Sequence, residues 1–406
     1  MSTVRFTKTA AASSRKVSAA RTGRIEIATV QHGGITRRAF LAGAAALPCL
    51  GAEGEEGFTP LLDGKTLSGW VIEEGSESAF YVEEGAIVAH PGASSPTWLR
   101  SRDQYENFDY RGEFLLKGWT DSCIYFHAAE HGRPGWTGFS IKVFHQREET
   151  PTPQSAGAIF PLIAPQRVSV RQGEWNPFRI LMDWPRLQVW FSGEQVQDLD
   201  VETVPELRYR LRRGYLGFPA VAAAARFRNL RIRPLPSRET WEPLYETRAD
   251  IEKWFVSEGK PRVETLGGVL RLDGAGHLAT KVKYRDFELH LYVRAPRAHN
   301  GGVVFRSEGK GTSGRSYEIQ LHNVEEAHFP TGSLYHYKRA VYPRIEDEKW
   351  FLMQLVVKDR FCLVRINGET VLEYDRLENL EEGHIELQAH RPGWWTEYKH
   401  IRVKRL

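Results

Sequence analysis

Cysteine is scarce in this 406-residue chain: Cys49, Cys123 and Cys362 are all it has. Cys49 falls in an N-terminal segment set apart below, and two cysteines make no disulfide framework. Cys123 and Cys362 read as small core residues, so burial alone must close the fold. Long apolar runs are missing too, which excludes a helix spanning a bilayer in the body of the chain. No amphipathic helix pattern persists beyond about three turns, which excludes a helical bundle. Nor does the body carry an excess of charge. Residues 1–57 hold eight Lys/Arg against four Glu and account for the whole formal +4, leaving 47 basic and 47 acidic residues. A near-neutral body argues against nucleic acid as a partner. There is no HExxH and no close Cys/His spacing. "SEGKGTSG" has Gly311 where a phosphate-binding loop needs Ser or Thr, and no helix pattern follows, so it reads as a turn between strands.

What is present begins with an address. "TRRAFLAGAAALPCLGA" sets Arg37 and Arg38 before an apolar run of about a dozen residues, too short to cross a membrane. It resembles a twin-arginine export signal. Residues 1–52 are therefore expected to be removed after Ala52, with the mature protein periplasmic or secreted and without a transmembrane span.

The body reads as two copies of one pattern. "NFDYRGEF" answers "DFELHLYV", "SCIYFHAAE" answers "GGVVFRSEG", "TGFSIKVFHQ" answers "RSYEIQLHNV", and "RFRNLRIRPL" answers "EYKHIRVKRL". The Pro-containing "RPLPSRET", 233–240, is the linker. Short alternating runs punctuated by turns such as "SGE" and "NGE" predict antiparallel sheets stacked in a sandwich. The expected fold is all-β: two tandem jelly-roll sandwiches, residues 58–233 and 241–406.

In the second copy three strands carry polar rows. In "SYEIQLHN" Tyr317, Ile319 and Leu321 point to the core and Glu318, Gln320 and His322 away from it. "GHIELQAH" sends His384, Glu386, Gln388 and His390 outward, and strict alternation in "GGVVFR" puts Arg306 on the same face. The matching positions of the first copy are Ser140, Lys142 and Phe144, His127, and Gly217 and Pro219, so that copy reads as a degenerate, structural or accessory one. A glycosidase of the ordinary kind needs two carboxylates about 5 to 9.5 Å apart, which Glu318 and Glu386 could supply only across strands. Residues six apart on a strand lie about 20 Å apart, so His384 and His390 cannot share an ion. His322 and His390 could if their strands are neighbours, and one divalent metal held by His322, His390 and Glu318 stays open. Trp394 and Trp395 in "RPGWW" suit stacking on sugar faces, or the edge of a core.

"FTPLLDGKTLSGW", "GGVVFR", "SYEIQLHN", "TGSLYHY" and the closing "GHIELQAHRPGWWTEYKHIRVKRL" together resemble the 3-keto-disaccharide hydrolase domain family, which has a concanavalin-like jelly-roll fold. The resemblance implies a carbohydrate partner, a glycoside oxidised to a ketone at carbon 3. The ketone acidifies the proton on carbon 2, and removal of that proton lets the glycosidic oxygen leave by β-elimination. Such a route needs a base, an acid and a stabiliser of the enolate rather than two opposed carboxylates. On this reading His322 is the base, His390 the acid and Arg306 the enolate stabiliser, while Glu318 orients an imidazole or a metal. Gln320, Gln388, Glu386, Tyr335, Trp394 and Trp395 bind the sugar. The family often shows Asp where this chain has His322. A non-catalytic carbohydrate-binding protein is the alternative, and a structural envelope protein a third reading.

Overall fold

The computed structural model describes residues 55–406 apart from 146–149, 222–224 and 298, so the predicted export signal lies outside the described residues. Within them the alternating runs become strands, and the strands form two five-stranded and two eight-stranded sheets, all paired antiparallel. One sheet of each kind makes up each copy. In the first copy the five-stranded sheet runs Trp70–Glu73, Trp98–Tyr105, Gly214–Pro219, Asp121–Ala128, Phe139–Phe144. In the second it runs Trp254–Gly259, Gly276–Thr280, His384–Ala389, Gly301–Ser307, Tyr317–Leu321. The strand order is the same in both, so the repeat in sequence is a repeat in topology. The protein is two tandem jelly-roll sandwiches, and no helix among the described residues is long and apolar enough to cross a membrane.

Each core lies between the two sheets of its copy. In the second, Leu289, Leu291 and Val293 of one sheet meet Val303, Phe305, Ile319 and Leu321 of the other, all fully buried. Each such side chain contributes about 1.5–3 kcal/mol by leaving water. Cys123 and Cys362 are free and buried, with both thiols pushed up by burial, to about 11 and about 12. Because side chains alternate, burying one face of the five-stranded sheet commits the other face to whatever the polar positions carry.

The copies also meet each other. The outer face of the second copy's eight-stranded sheet receives first-copy loops: Leu211 and Ala129 pack on Tyr292 and Leu352. Gln354 donates to the Tyr209 carbonyl at 2.9 Å, Lys399 pairs with Glu130 at 2.9 Å, and Lys404 pairs with Glu239 of the linker at 2.7 Å.

Candidate active site

Register brings the polar rows together. Gly302 stands between Gln320 and Gln388, and Val304 between Glu318 and Glu386. His277, on the next strand, lies opposite Gln388. With strands about 4.8 Å apart, the backbones of Glu318 and Glu386 are about 10 Å apart across Val304. Despite facing away from the core, Gln320, Gln388, Glu386 and His277 are all buried; of the two acids only Glu318 keeps partial exposure.

The two acids live in opposite environments. Burial alone would raise the Glu386 carboxyl, but hydrogen bonds from His277, Ser307 and Ser257 outweigh it and hold the group below its ordinary value. His277 Nδ1 donates to Glu386 Oε2 at 2.9 Å, Ser257 donates to the same oxygen at 2.9 Å, and the Ser307 hydroxyl donates to the other. This bond fixes the imidazole and leaves its Nε2 3.9 Å from Glu258 Oε2. Glu318 makes no side-chain hydrogen bond among the described residues. Burial pushes its carboxyl up to about 7, with nearby His277 pulling weakly the other way. Its carboxylate lies over Gly302, where a Cβ would overlap it. A locked anion beside a carboxyl that titrates near neutrality is the arrangement that separates acid and base roles.

The remaining predicted residues are placed unevenly. Gln320 Nε2 donates to Asn300 Oδ1 at 2.5 Å and to the Gly301 carbonyl at 3.3 Å, so the amide is oriented along the sheet. Gln388 completes the row between Gly302 and His277. Tyr335, partly exposed, is held beside the Tyr317–Leu321 strand because its N–H donates to the Glu318 carbonyl at 2.9 Å. His322 sits one residue beyond that strand, half-buried, with burial lowering its pKa. Its neighbour is the fully buried His299, which desolvation, reinforced by the proximity of His322, holds down to about 4. His390 is exposed beyond its strand, its ring 6.1 Å from that of Trp394. Trp394 and Trp395 each already carry a guanidinium on one face, Arg391 at 3.2 Å and Arg271 at 4.4 Å. His384 is tied to the Thr280 carbonyl at 2.6 Å. No group of three or more His, Cys, Asp or Glu among the described residues is arranged to hold a metal ion, so the candidates His322, His390 and Glu318 do not form one.

Arg306 lies away from the face that alternation predicts for it. Its pairing register shifts between Val304 and Ser307, and Arg306 takes φ +49°, a β-bulge that reverses the expected alternation. The guanidinium turns away from the polar row, fully buried. It donates to the carbonyls of Arg285 and Asn379 and to Asp286 Oδ1, at 3.0, 2.9 and 3.0 Å. It cannot meet an enolate over the sheet. Ser307 takes the vacated place on the polar face. Sequence reasoning missed Ser307, Ser257 and His277: the first because of the bulge, the others because each lies in a short strand whose polar residues make no alternating row to announce it. The first copy has the same bulge at His127, φ +51°.

A family model described as a 3-keto-alpha-glucoside-1,2-lyase-like domain matches residues 57–233 and, again, 240–404. Among curated proteins, a levanase of Bacillus sp. (strain L7) is 22% identical over 265 residues, covering 63% of this chain and 26% of that protein. The chain thus spans about a quarter of that relative's length. Among solved structures, one described as a "putative glycosyl hydrolase" from Parabacteroides distasonis ATCC 8503 is 23% identical, with a TM-score of 0.39, and covers 45% of this chain and 95% of its own. A Bacillus licheniformis β-glucanase is 10% identical, with a TM-score of 0.32, over 42% of this chain and all of its own.

Proposed function

The chain belongs to the 3-keto-alpha-glucoside-1,2-lyase-like domain family, in two tandem copies, and from that premise we propose that its second copy cleaves glycosides carrying a ketone at carbon 3. The carbohydrate-active class comes with the family. The substrate and the elimination are the finer reading, and the environment of Glu318 is the observation that carries it.

The base role moves from His322 to Glu318. A carboxylate with a pKa near 7 is strong enough to take an acidified carbon-2 proton and is about half ionised at neutral pH. The electron pair of the broken C–H bond becomes the enolate on oxygen 3. It then forms the C1–C2 double bond as the bond from carbon 1 to the glycosidic oxygen breaks. The departing oxygen takes a proton, which the newly protonated Glu318 can supply if it lies on the same ring face. Addition of water to the enone completes a net hydrolysis.

Gln320 and Gln388 flank Gly302 and offer amides to ring hydroxyls and the enolate oxygen. His277, locked by Glu386, is the imidazole in contact with this row. Glu386 is a positioning residue, since its oxygens are already engaged by His277, Ser257 and Ser307.

The test is incubation of the purified chain with a 3-keto-glucoside, following loss of the keto form. Glu318→Gln should lower turnover by about 10²–10⁴ while leaving binding within a few-fold. Cleavage of unoxidised glycosides would transfer the chemistry to Glu318 and Glu386 as an ordinary carboxylate pair. Binding without turnover in the wild type would leave a carbohydrate-binding module.

A further inference from the structure

The five-stranded sheet of the first copy has lost the acids but not the space above them. A cavity of about 400 Å³ lies over it, within the range of about 300–1,000 Å³ usual for small-molecule sites. Register puts Tyr125 opposite Ser140 and Cys123 opposite Lys142, so Lys142 occupies the place that Gln320 has in the second copy.

Its lining is chemically specific. Lys142 is buried, pairs with Asp121 at 2.5 Å and holds its ammonium 4.1 Å from the Phe160 ring centre. Asp121 is the more exposed partner. An anionic ligand would meet the Asp121 carboxylate and a cationic one the Lys142 ammonium. A neutral ligand with adjacent hydroxyls can use both, donating to one and accepting from the other. Trp98 and Tyr125 form an edge-to-face floor, ring centres 6.1 Å apart at 72°, and Trp136, over a third exposed, stands on the rim. The Ser140 hydroxyl lies on the floor beside the Cys123 thiol.

The rim is held rigid. The Pro134–Thr137 turn that carries Trp136 is clamped by buried Arg210, which donates to the carbonyls of Gly135 at 2.7 Å and Gly138 at 2.5 Å. It is braced from the second copy by Gly368, packed against the Trp136 backbone, and by Glu369, paired with Arg133 at 3.0 Å. The site is therefore preformed, and its aromatic platform does not have to be ordered by a ligand.

We propose that this cavity is a second, non-catalytic site that holds a neutral, unoxidised hexose unit of a saccharide, stacked on Trp136 and hydrogen-bonded to the Lys142–Asp121 pair. The carboxylate over this sheet, Asp121, is paired with Lys142 and does not stand free as Glu318 does, so the unit bound here is retained rather than cleaved. The inference does not depend on the chemistry of the second copy.

The experiment is saturation-transfer NMR on the full chain with maltose, cellobiose, sucrose and trehalose in the millimolar range. It is run on the Glu318→Gln variant so that turnover contributes nothing. At least one disaccharide should give transfer, and Trp136→Ala should weaken its binding about tenfold or more, as should Lys142→Met. Trp136 is partly exposed, so its replacement keeps the test readable if Lys142→Met does not fold. Absence of transfer from all four sugars overturns the proposal. Transfer that survives both substitutions also overturns it, because the sugar would then sit elsewhere.

Discussion

Replacing Glu318 by Gln should stabilise the protein at alkaline pH while disabling it. The folded state holds the Glu318 carboxyl at about 7 against an ordinary 4.5. At about 1.4 kcal/mol per pH unit, that offset amounts to about 3 kcal/mol. The sign follows from proton counting. Between about 4.5 and 7 the folded chain keeps a proton that the unfolded chain has lost, so stability falls as pH rises through this window and levels off above it. A glutamine side chain in the same place is a neutral near-isostere at every pH, so differences between the two chains isolate the ionisation from other pH effects. Urea midpoints of both, taken from about pH 5 to about pH 9, should give a stability difference that moves toward the variant by about 3 kcal/mol and then stays level. On the catalytic side, the wild-type kcat/KM for a 3-keto-glucoside should rise with pH and inflect near 7, because the carboxylate is the active form. A stability difference that is flat across the range would refute the buried-base reasoning, whatever the activity of the variant.

Other substitutions separate the site from its scaffold. Gly302→Ala places a methyl group where the Glu318 carboxylate lies, and the side chain can swing clear. Stability should stay within about 1 kcal/mol while kcat falls by about 10²-fold, seen by comparing urea midpoints with turnover. Arg306→Met should do the reverse of a catalytic change: it removes a buried cation from two carbonyls and Asp286, and about 3–5 kcal/mol of stability with it. Any protein that remains folded should still turn over, and loss of kcat at unchanged stability would return Arg306 to the site. Changing Arg37 and Arg38 to Lys should trap the chain in the cytoplasm, whereas the native chain should be found outside it without its first 52 residues by mass; undiminished export of the double variant refutes the signal.

Much of the fold was legible because burial on one face of a strand writes itself as alternation. Tyr317, Ile319 and Leu321 announced both the core and, by parity, Glu318 and Gln320 opposite them. The same rule misled at Arg306, since one bulged residue reverses parity for everything after it, and the φ of a non-glycine residue leaves no compositional trace. Glu318 and Glu386 were visible as outward acids, but their opposite roles were not. Those roles depend on Ser257, Ser307 and His277, which come from three other strands. The space over the first copy was illegible for a related reason. Lys142 and Asp121 lie 21 residues apart, on adjacent strands, and mean nothing to each other until those strands pair.

The bulge shared by the two copies carries a steric condition. In the second copy Gly383 packs against the backbone of Arg306, and in the first Gly214 packs against that of His127; a Cβ at either glycine would strike the bulged residue's carbonyl carbon. The copies have since diverged in nearly every side chain on the sheet that follows, yet each retains a left-handed residue faced by a glycine at this point. A glycine at this place is what the bulge itself demands, whichever side chains the sheet carries. A single-copy relative, whatever it acts on, should carry a glycine at this place.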